Sequence, residues 1–187
     1  IDLGKYLDTG LFLDHRWLRN QIQKTAKDKS VLNLFCYTGA ISVAAAVGEA
    51  SEVTSVDTSK TYLKWCEENF KINQLRTKHE VLRAAVMKHL TFDKTLHDII
   101  IADPPTYSNS HSRDSDWEVQ RDHVELIEAC AKKLKPGGVI YFSNNFRKFK
   151  LDESLQECFN VKNITNKSMD LDFKGSKIHH CYLLESK

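Results

Sequence analysis

An α/β fold, one mostly parallel sheet covered by helices on both faces, is what this sequence predicts, and three observations predict it. Apolar runs and amphipathic stretches alternate along nearly the whole chain. The apolar runs are near-continuous, as in strands buried on both faces. The 187 residues, 41% hydrophobic and 28% charged, make one domain with a real core and not comfortably two. That composition excludes disordered, collagen-like and fibrous classes. No apolar run approaches the ~20 residues of a membrane-spanning helix, and no signal-peptide pattern opens the chain. A chain that begins Ile1-Asp2-Leu3 and holds only Met87 and Met169 is expected to be a fragment of something longer.

The elements follow in order. Residues 10–14 (GLFLD) can form a strand, and Asp14 can cap a helix running to about residue 27. Residues 30–36 (SVLNLFC) read as a buried strand and 40–47 (AISVAAAV) as a small-residue helix packed close to it. Residues 52–57 (EVTSVD) form the second strand. A helix over 59–73 follows, capped by Thr58 or Ser59, with Tyr62, Leu63, Cys66 and Phe70 on one face. Residues 79–84 make a short strand, 86–90 a short helix, and 98–102 (DIIIA) the fourth strand. The polar stretch 108–116 (SNSHSRDSD) is the one long loop candidate, expected to be mobile in the absence of a ligand. A helix over 117–134 is closed by Lys132, Lys133 and Lys135, charges suited to a helix C-terminus, and then by Pro136-Gly137-Gly138. The fifth strand spans 139–143, a helix 152–159, and two strands over 161–167 and 178–185 finish the chain.

The five cysteines, Cys36, Cys66, Cys130, Cys158 and Cys181, are scattered and contain no C-x-x-C pair, which argues against a disulfide framework and a structural zinc. A reducing, cytoplasmic setting follows, with no metal expected. In His179-His180-Cys181, neighbouring strand residues point to opposite faces, so the three cannot share one ion. Lys+Arg 27 against Asp+Glu 25, a net charge of +2, neither demands nor excludes nucleic acid.

Ligands of open parallel sheets sit beyond the carboxyl ends of the strands. At the first such end, Phe35-Cys36-Tyr37-Thr38-Gly39-Ala40 holds one glycine, too few for a dinucleotide's pyrophosphate, and no phosphate-binding G-x-x-x-x-G-K-[ST] occurs. Asp57 ends the next strand 18 residues after Gly39, near the interval at which an acid reaches a ribose diol. Alone, Gly39 makes a tight turn and Asp57 caps a helix. Together they favour a nucleoside without phosphates, of which S-adenosylmethionine is the obvious one. At the fourth strand end, Asp103-Pro104-Pro105-Thr106-Tyr107 supplies an acid, a stiff wall and a ring able to stack on a base.

At these residues the chain resembles a known family, the C-terminal K-type domain of the bacterial ribosomal RNA large subunit methyltransferase K/L. The resemblance covers essentially the whole chain. It rests on Leu7-Asp8-Thr9-Gly10-Leu11-Phe12-Leu13-Asp14-His15-Arg16, Leu32-Asn33-Leu34-Phe35-Cys36-Tyr37-Thr38-Gly39 and Val56-Asp57-Thr58-Ser59-Lys60-Thr61-Tyr62-Leu63. It rests also on Asp103-Pro104-Pro105-Thr106-Tyr107-Ser108-Asn109-Ser110, Val119-Gln120-Arg121-Asp122-His123 and Phe142-Ser143-Asn144-Asn145.

The resemblance implies a class I, Rossmann-like methyltransferase with a seven-stranded sheet whose last strand is antiparallel. It implies S-adenosylmethionine as donor and guanine N7 of 23S ribosomal RNA as acceptor. It also implies an upstream RNA-binding module and a second methyltransferase domain in the longer chain. Expected cofactor-binding residues are Asp14, Arg16, Phe35, Cys36, Tyr37, Thr38, Gly39, Asp57, Thr58, Ala85 and Asp103, with residues 1–29 packing on the cofactor site. Ala85 stands where the family usually carries an acid for the adenine amine, which argues for weaker cofactor binding rather than its loss.

Guanine N7 carries an in-plane lone pair and needs no deprotonation, so catalysis can rest on alignment and exclusion of water. Asp103, Pro104, Pro105 and Tyr107 are the expected catalytic residues, and no His or Lys adjoins the Asp-Pro-Pro loop in sequence. Thr106, Tyr107, Arg147 and Lys148 are the expected RNA contacts, while Phe149 of the same aromatic-basic run reads as core. Methylation of an exocyclic amine is the alternative. Cytosine C5 methylation ranks low, because it needs a nucleophilic cysteine and none lies in that loop. A nicotinamide-linked oxidoreductase lacks its glycines, and a catalytically inactive RNA-binding module has only Ala85 to suggest it.

Overall fold

Five residues of unbroken burial, Ser30–Leu34, form β1 in the middle of the sheet. The computed structural model describes residue 4 and residues 9–108, 116–173, 175–176 and 178–187. Beside β1 lie β2 (Glu52–Asp57) and then β3 (Lys78–Arg83) on one flank. On the other lie β4 (His97–Ala102), β7 (Leu134–Asn144), β9 (His180–Ser186) and β8 (Phe159–Asn163). Of these seven strands only β9 runs opposite to the other six. A separate two-stranded ribbon pairs β5 (Tyr107–Ser108) with β6 (Trp117–Glu118). The class I order is thus present, with its switch of winding direction between β1 and β4.

Alternate strand residues feed two cores. Val31, Val53, Ile99 and Ile101 pack under α1 (Arg16–Thr25), α2 (Ala40–Val47) and α3 (Lys60–Ile72). Leu32, Leu34, Ile100 and Ala102 pack under α4 (Val86–Phe92) and α5 (Val119–Ala131). The remaining helices, α6 (Leu155–Cys158) and α7 (Thr165–Ser168), are single turns. Ser59 caps α3 as expected, its hydroxyl accepting from the Tyr62 amide.

The differences from expectation lie where chain-distant partners intervene. Leu13–His15 is a 3-10 turn rather than part of a strand, and Asp14 does not cap α1, because its carboxylate is taken by His179. The expected 117–134 helix starts at Val119, since Trp117 and Glu118 pair with Ser108 and Tyr107. Leu134 and Lys135 belong to β7, whose register against β4 shifts between His97 and Ile99. Lys135 therefore reaches Asp98 and Ser30 and is no helix-end charge. The expected helix over 152–159 shrinks to α6, because Phe159 already pairs with Ser186. The expected strand over 161–167 ends at Asn163, whose side chain accepts from the Thr165 amide and turns the backbone into α7.

Candidate functional site

The carboxyl ends of β1, β2 and β4 open into one cavity of about 780 Å3. The turn after β1 is tight, with positive φ at Phe35 (55°), Tyr37 (51°) and Gly39 (74°). Gly39 is needed there twice over: its φ suits glycine, and an added Cβ would stand 2.2 Å from the Cys66 sulfur. The turn presents Phe35 and Tyr37 to the cavity. Asp57 is held by two backbone amides: Tyr37 N–H donates to Oδ2 (3.0 Å) and Ser59 N–H to Oδ1 (2.9 Å). Thr58 and Ala85 line the cavity with it.

Asp103 extends from β4 into the cavity, its Oδ1 accepting from the Ser143 hydroxyl at 2.6 Å. His15 Nδ1 lies 3.6 Å from its Oδ2. Pro104 and Pro105 form a wall, fixed by Trp117, whose indole N–H donates to the Pro105 carbonyl at 2.9 Å. Thr106 donates to Asn145 Oδ1 at 2.8 Å. Tyr107 is 59% exposed at the rim, edge-on to Phe146 with centroids 6.3 Å apart.

Asp14 completes the acidic lining. Burial works to raise its carboxyl, but the hydrogen bond from His179 and the charges of His15 and His179 outweigh it and hold the group below the usual carboxylate value. Asp14, Asp57 and Asp103 are thus the three carboxylates of a cavity whose described lining contains no lysine or arginine. Around them stand the rings of Phe12, Phe35, Tyr37, Tyr62, Tyr107 and Trp117. A concave, aromatic, cation-seeking site fits a flat nucleoside that carries positive charge.

The structure brings Asp14, Phe35, Tyr37, Asp57, Thr58, Ala85, Asp103, Pro104, Pro105, Thr106 and Tyr107 to this one lining. It places six others elsewhere. The Arg16 guanidinium pairs with Asp170 (2.6 Å) and Asp172. The Cys36 thiol is buried against Cys66, which with desolvation pushes it up, so it is no thiolate. Thr38 is buried, donating to the Gly10 carbonyl at 2.7 Å, and Gly39 sits over Cys66. Arg147 and Lys148 are exposed in the turn after β7, outside the lining. Phe149 is core, as read.

Eight lining residues lie outside the expected site set, and four of them bear on the chemistry: Tyr62, Trp117, His15 and Asn145. Tyr62 was grouped with Leu63, Cys66 and Phe70, which are buried, yet its ring turns to Tyr37 at 4.5 Å. Trp117 was assigned to a helix. His15 and Asn145 lie inside the motifs that carry the family resemblance, which implies no role for either. The polar stretch 108–116, expected to be a mobile loop, falls, for residues 109–115, outside the described residues. Asp14, His15 and His179 bring one ligating atom each within 4.8 Å of one another, a grouping that alternation along the last strand could not reveal. Among the described residues no helix is long and apolar enough to cross a membrane.

Residues 1–166 match the model of a family described as S-adenosylmethionine-dependent methyltransferase. The chain is 49% identical over 187 residues to the ribosomal RNA large subunit methyltransferase K/L of Pseudoalteromonas atlantica, covering 98% of this chain and 27% of that protein. It is 50% identical over 183 residues to the protein of the same name from Pseudomonas aeruginosa, covering 97% and 25%. The chain therefore spans about a quarter of the length of these relatives. Among solved structures it is similar to a methyltransferase complexed with SAH, at 27% identity and TM-score 0.81, covering 97% of this chain and 51% of that one. A SAM-dependent methyltransferase from Streptococcus mutans gives 27% identity, TM-score 0.78 and the same coverage.

Proposed function

The chain belongs to the family of S-adenosylmethionine-dependent methyltransferases, and from that premise we propose that it methylates guanine N7 in large-subunit ribosomal RNA. One observation carries the donor half of this reading: among the described residues, three carboxylates and no lysine or arginine line an aromatic cavity at the sheet's switch point. That donor set suits a sulfonium and an ammonium and is unsuited to a pyrophosphate. When bound, S-adenosylmethionine supplies an electrophilic methyl group on a sulfonium.

The chain's own residues do the rest by positioning. Asp57, immobilised by two amides, is poised to accept from a ribose diol. Pro104 and Pro105, braced by Trp117, hold a flat wall for the acceptor base, and exposed Tyr107 offers a face for stacking. Asp103, with one oxygen on Ser143, orients groups near the reacting atoms. The acceptor half rests on the names of the longer relatives and on guanine N7 needing no proton acceptor. Arg147 and Lys148 are the nearest candidates for phosphate contacts on this chain. With so few cations and a net charge of +2, RNA capture is expected to depend on further domains of a longer protein.

A second reading, methylation of an exocyclic amine, is favoured by one observation. His15 Nδ1, 3.6 Å from Asp103 Oδ2, puts an imidazole next to the Asp-Pro-Pro loop, where no such side chain is expected from the sequence. The deciding experiment is nucleoside mass spectrometry of large-subunit RNA after incubation with the chain and labelled donor. 7-Methylguanosine is the expected product, with His15→Gln retaining most of the turnover. N2-Methylguanosine or N6-methyladenosine, lost in His15→Gln, would replace the N7 reading with the amine one.

A further inference from the structure

The histidine just before β9 is built into the cavity wall from behind. His179 has a side chain 2% exposed, and its Nδ1 lies 2.8 Å from Asp14 Oδ2. Its Nε2 lies 2.8 Å from the Ser168 hydroxyl, which itself donates to the Thr165 carbonyl at 2.9 Å. A hydroxyl has one proton, so Ser168 accepts from Nε2–H, and the ring is pinned at both nitrogens. His15 stands edge-on to it, ring centroids 5.2 Å apart, with Nε2 3.9 Å from the same Asp14 oxygen.

This assembly explains Asp14. Among the described residues no lysine or arginine pairs with it, both histidines lie on the Oδ2 side, and no side-chain hydrogen bond reaches Oδ1. A carboxylate is aimed by a buried ring, kept ionised, and left with lone pairs at a ligand cavity. His15 also links Asp14 to Asp103, 3.6 Å from its other nitrogen, so these two acids share one end of the site while Asp57 is held by the β1 turn. S-Adenosylmethionine presents three donor groups that acids can take, a ribose diol, the adenine amine and the α-ammonium of its methionyl tail. Asp57 suits the first and the Ala85 side of the lining is where the second is expected, which leaves the Asp14–Asp103 end for the third.

We propose that Asp14 receives the α-ammonium of the methionyl tail and that His179 is the positioning residue that aims it, without touching the ligand. The inference rests on the donor half of the reading above and holds whichever atom of the base is methylated.

The test is calorimetry on the purified chain with two ligands that differ only in that tail. S-Adenosylhomocysteine carries the α-ammonium; 5′-methylthioadenosine keeps the nucleoside and lacks the amino-acid portion. His179→Ala is expected to weaken S-adenosylhomocysteine at least tenfold and methylthioadenosine less than twofold. Asp14→Asn should repeat that pattern, and His179→Gln, which keeps a donor, should recover part of the loss. Equal weakening of both ligands would make the ring a structural prop and overturn the proposal, as would no weakening of either. If His179→Ala does not fold, His179→Gln and Asp14→Asn decide by the same ratio. One equivalent of zinc retained by the purified chain and lost in His179→Gln would reassign the cluster to a metal. If no variant or wild-type chain binds either nucleoside, it is the donor reading itself that fails.

Discussion

The two ends of the parallel strands treat their carboxylates differently. At the amino ends three are met by lysines: Lys135 Nζ lies 2.8 Å from Asp98, Lys78 3.0 Å from Glu52, and Lys27 2.6 Å from Glu49. At the carboxyl ends, Asp57, Asp103 and Asp14 have backbone amides, a serine hydroxyl and imidazoles instead. A lysine neutralises a carboxylate and settles it into the surface, where such pairs contribute little to stability. The amides on Asp57 and the hydroxyl on Asp103 fix those carboxylates' direction without a lysine's full charge against them. One sheet thus carries a solvated end and a receptive end.

The comparison predicts its largest effect at the receptive end. Asp57→Ala removes the acceptor offered to a ribose diol and should cost about 1.5–3 kcal/mol of S-adenosylhomocysteine affinity by calorimetry. It also frees the Tyr37 and Ser59 amides, so a drop in melting temperature should accompany it. Unchanged affinity would remove Asp57 from the site and make it a turn-stapling residue like those of the other end.

Tyr107→Ala sharpens the comparison within the receptive end. The exposed ring faces the acceptor side, so turnover on RNA should fall by the equivalent of ~1–2 kcal/mol of stacking while donor affinity stays nearly constant. Equal losses in both would make Tyr107 part of the donor pocket.

The smallest effect belongs to the solvated end. Burial acts to raise the Asp98 carboxyl, but hydrogen bonds from Lys135 and Ser30 outweigh it and bring it down to about 2. A folded-state value below the unfolded one near ~4 means stability present above that pH and lost as pH falls toward 2. Asp98→Asn should flatten that acid limb of the stability profile and leave donor affinity untouched. A change in affinity would break the division between the two ends.

Strand ends were legible because they follow from local rules. Residues 30–34, 52–57 and 98–102 are runs of apolar or β-branched residues that end in turn-formers or an acid, and the crevice rule then set Phe35, Tyr37, Asp57 and Asp103 around one opening. Side-chain direction within the turn was not legible. Cys36, Thr38 and Gly39 sit in the same loop as Phe35 and Tyr37, yet they face Cys66 and Gly10 because the left-handed residues on either side rotate alternate side chains inward.

Taken by itself, the sequence determined the fold class, the central strands, the glycine turn and the acids at the strand ends, since each depends on spacing within a few residues. Only the tertiary structure decided that Asp14 meets His179, 165 positions away, that Thr106 meets Asn145 across 39, and that Trp117 braces Pro105 from a strand rather than a helix. Arg16 was drawn off the site in the same way, by acids at 170 and 172. These partners are brought together by the order of β4, β7 and β9 in the sheet and by the antiparallel return of β9. Periodicity along a chain carries which face of an element is apolar, and nothing about which distant element will lie beside it.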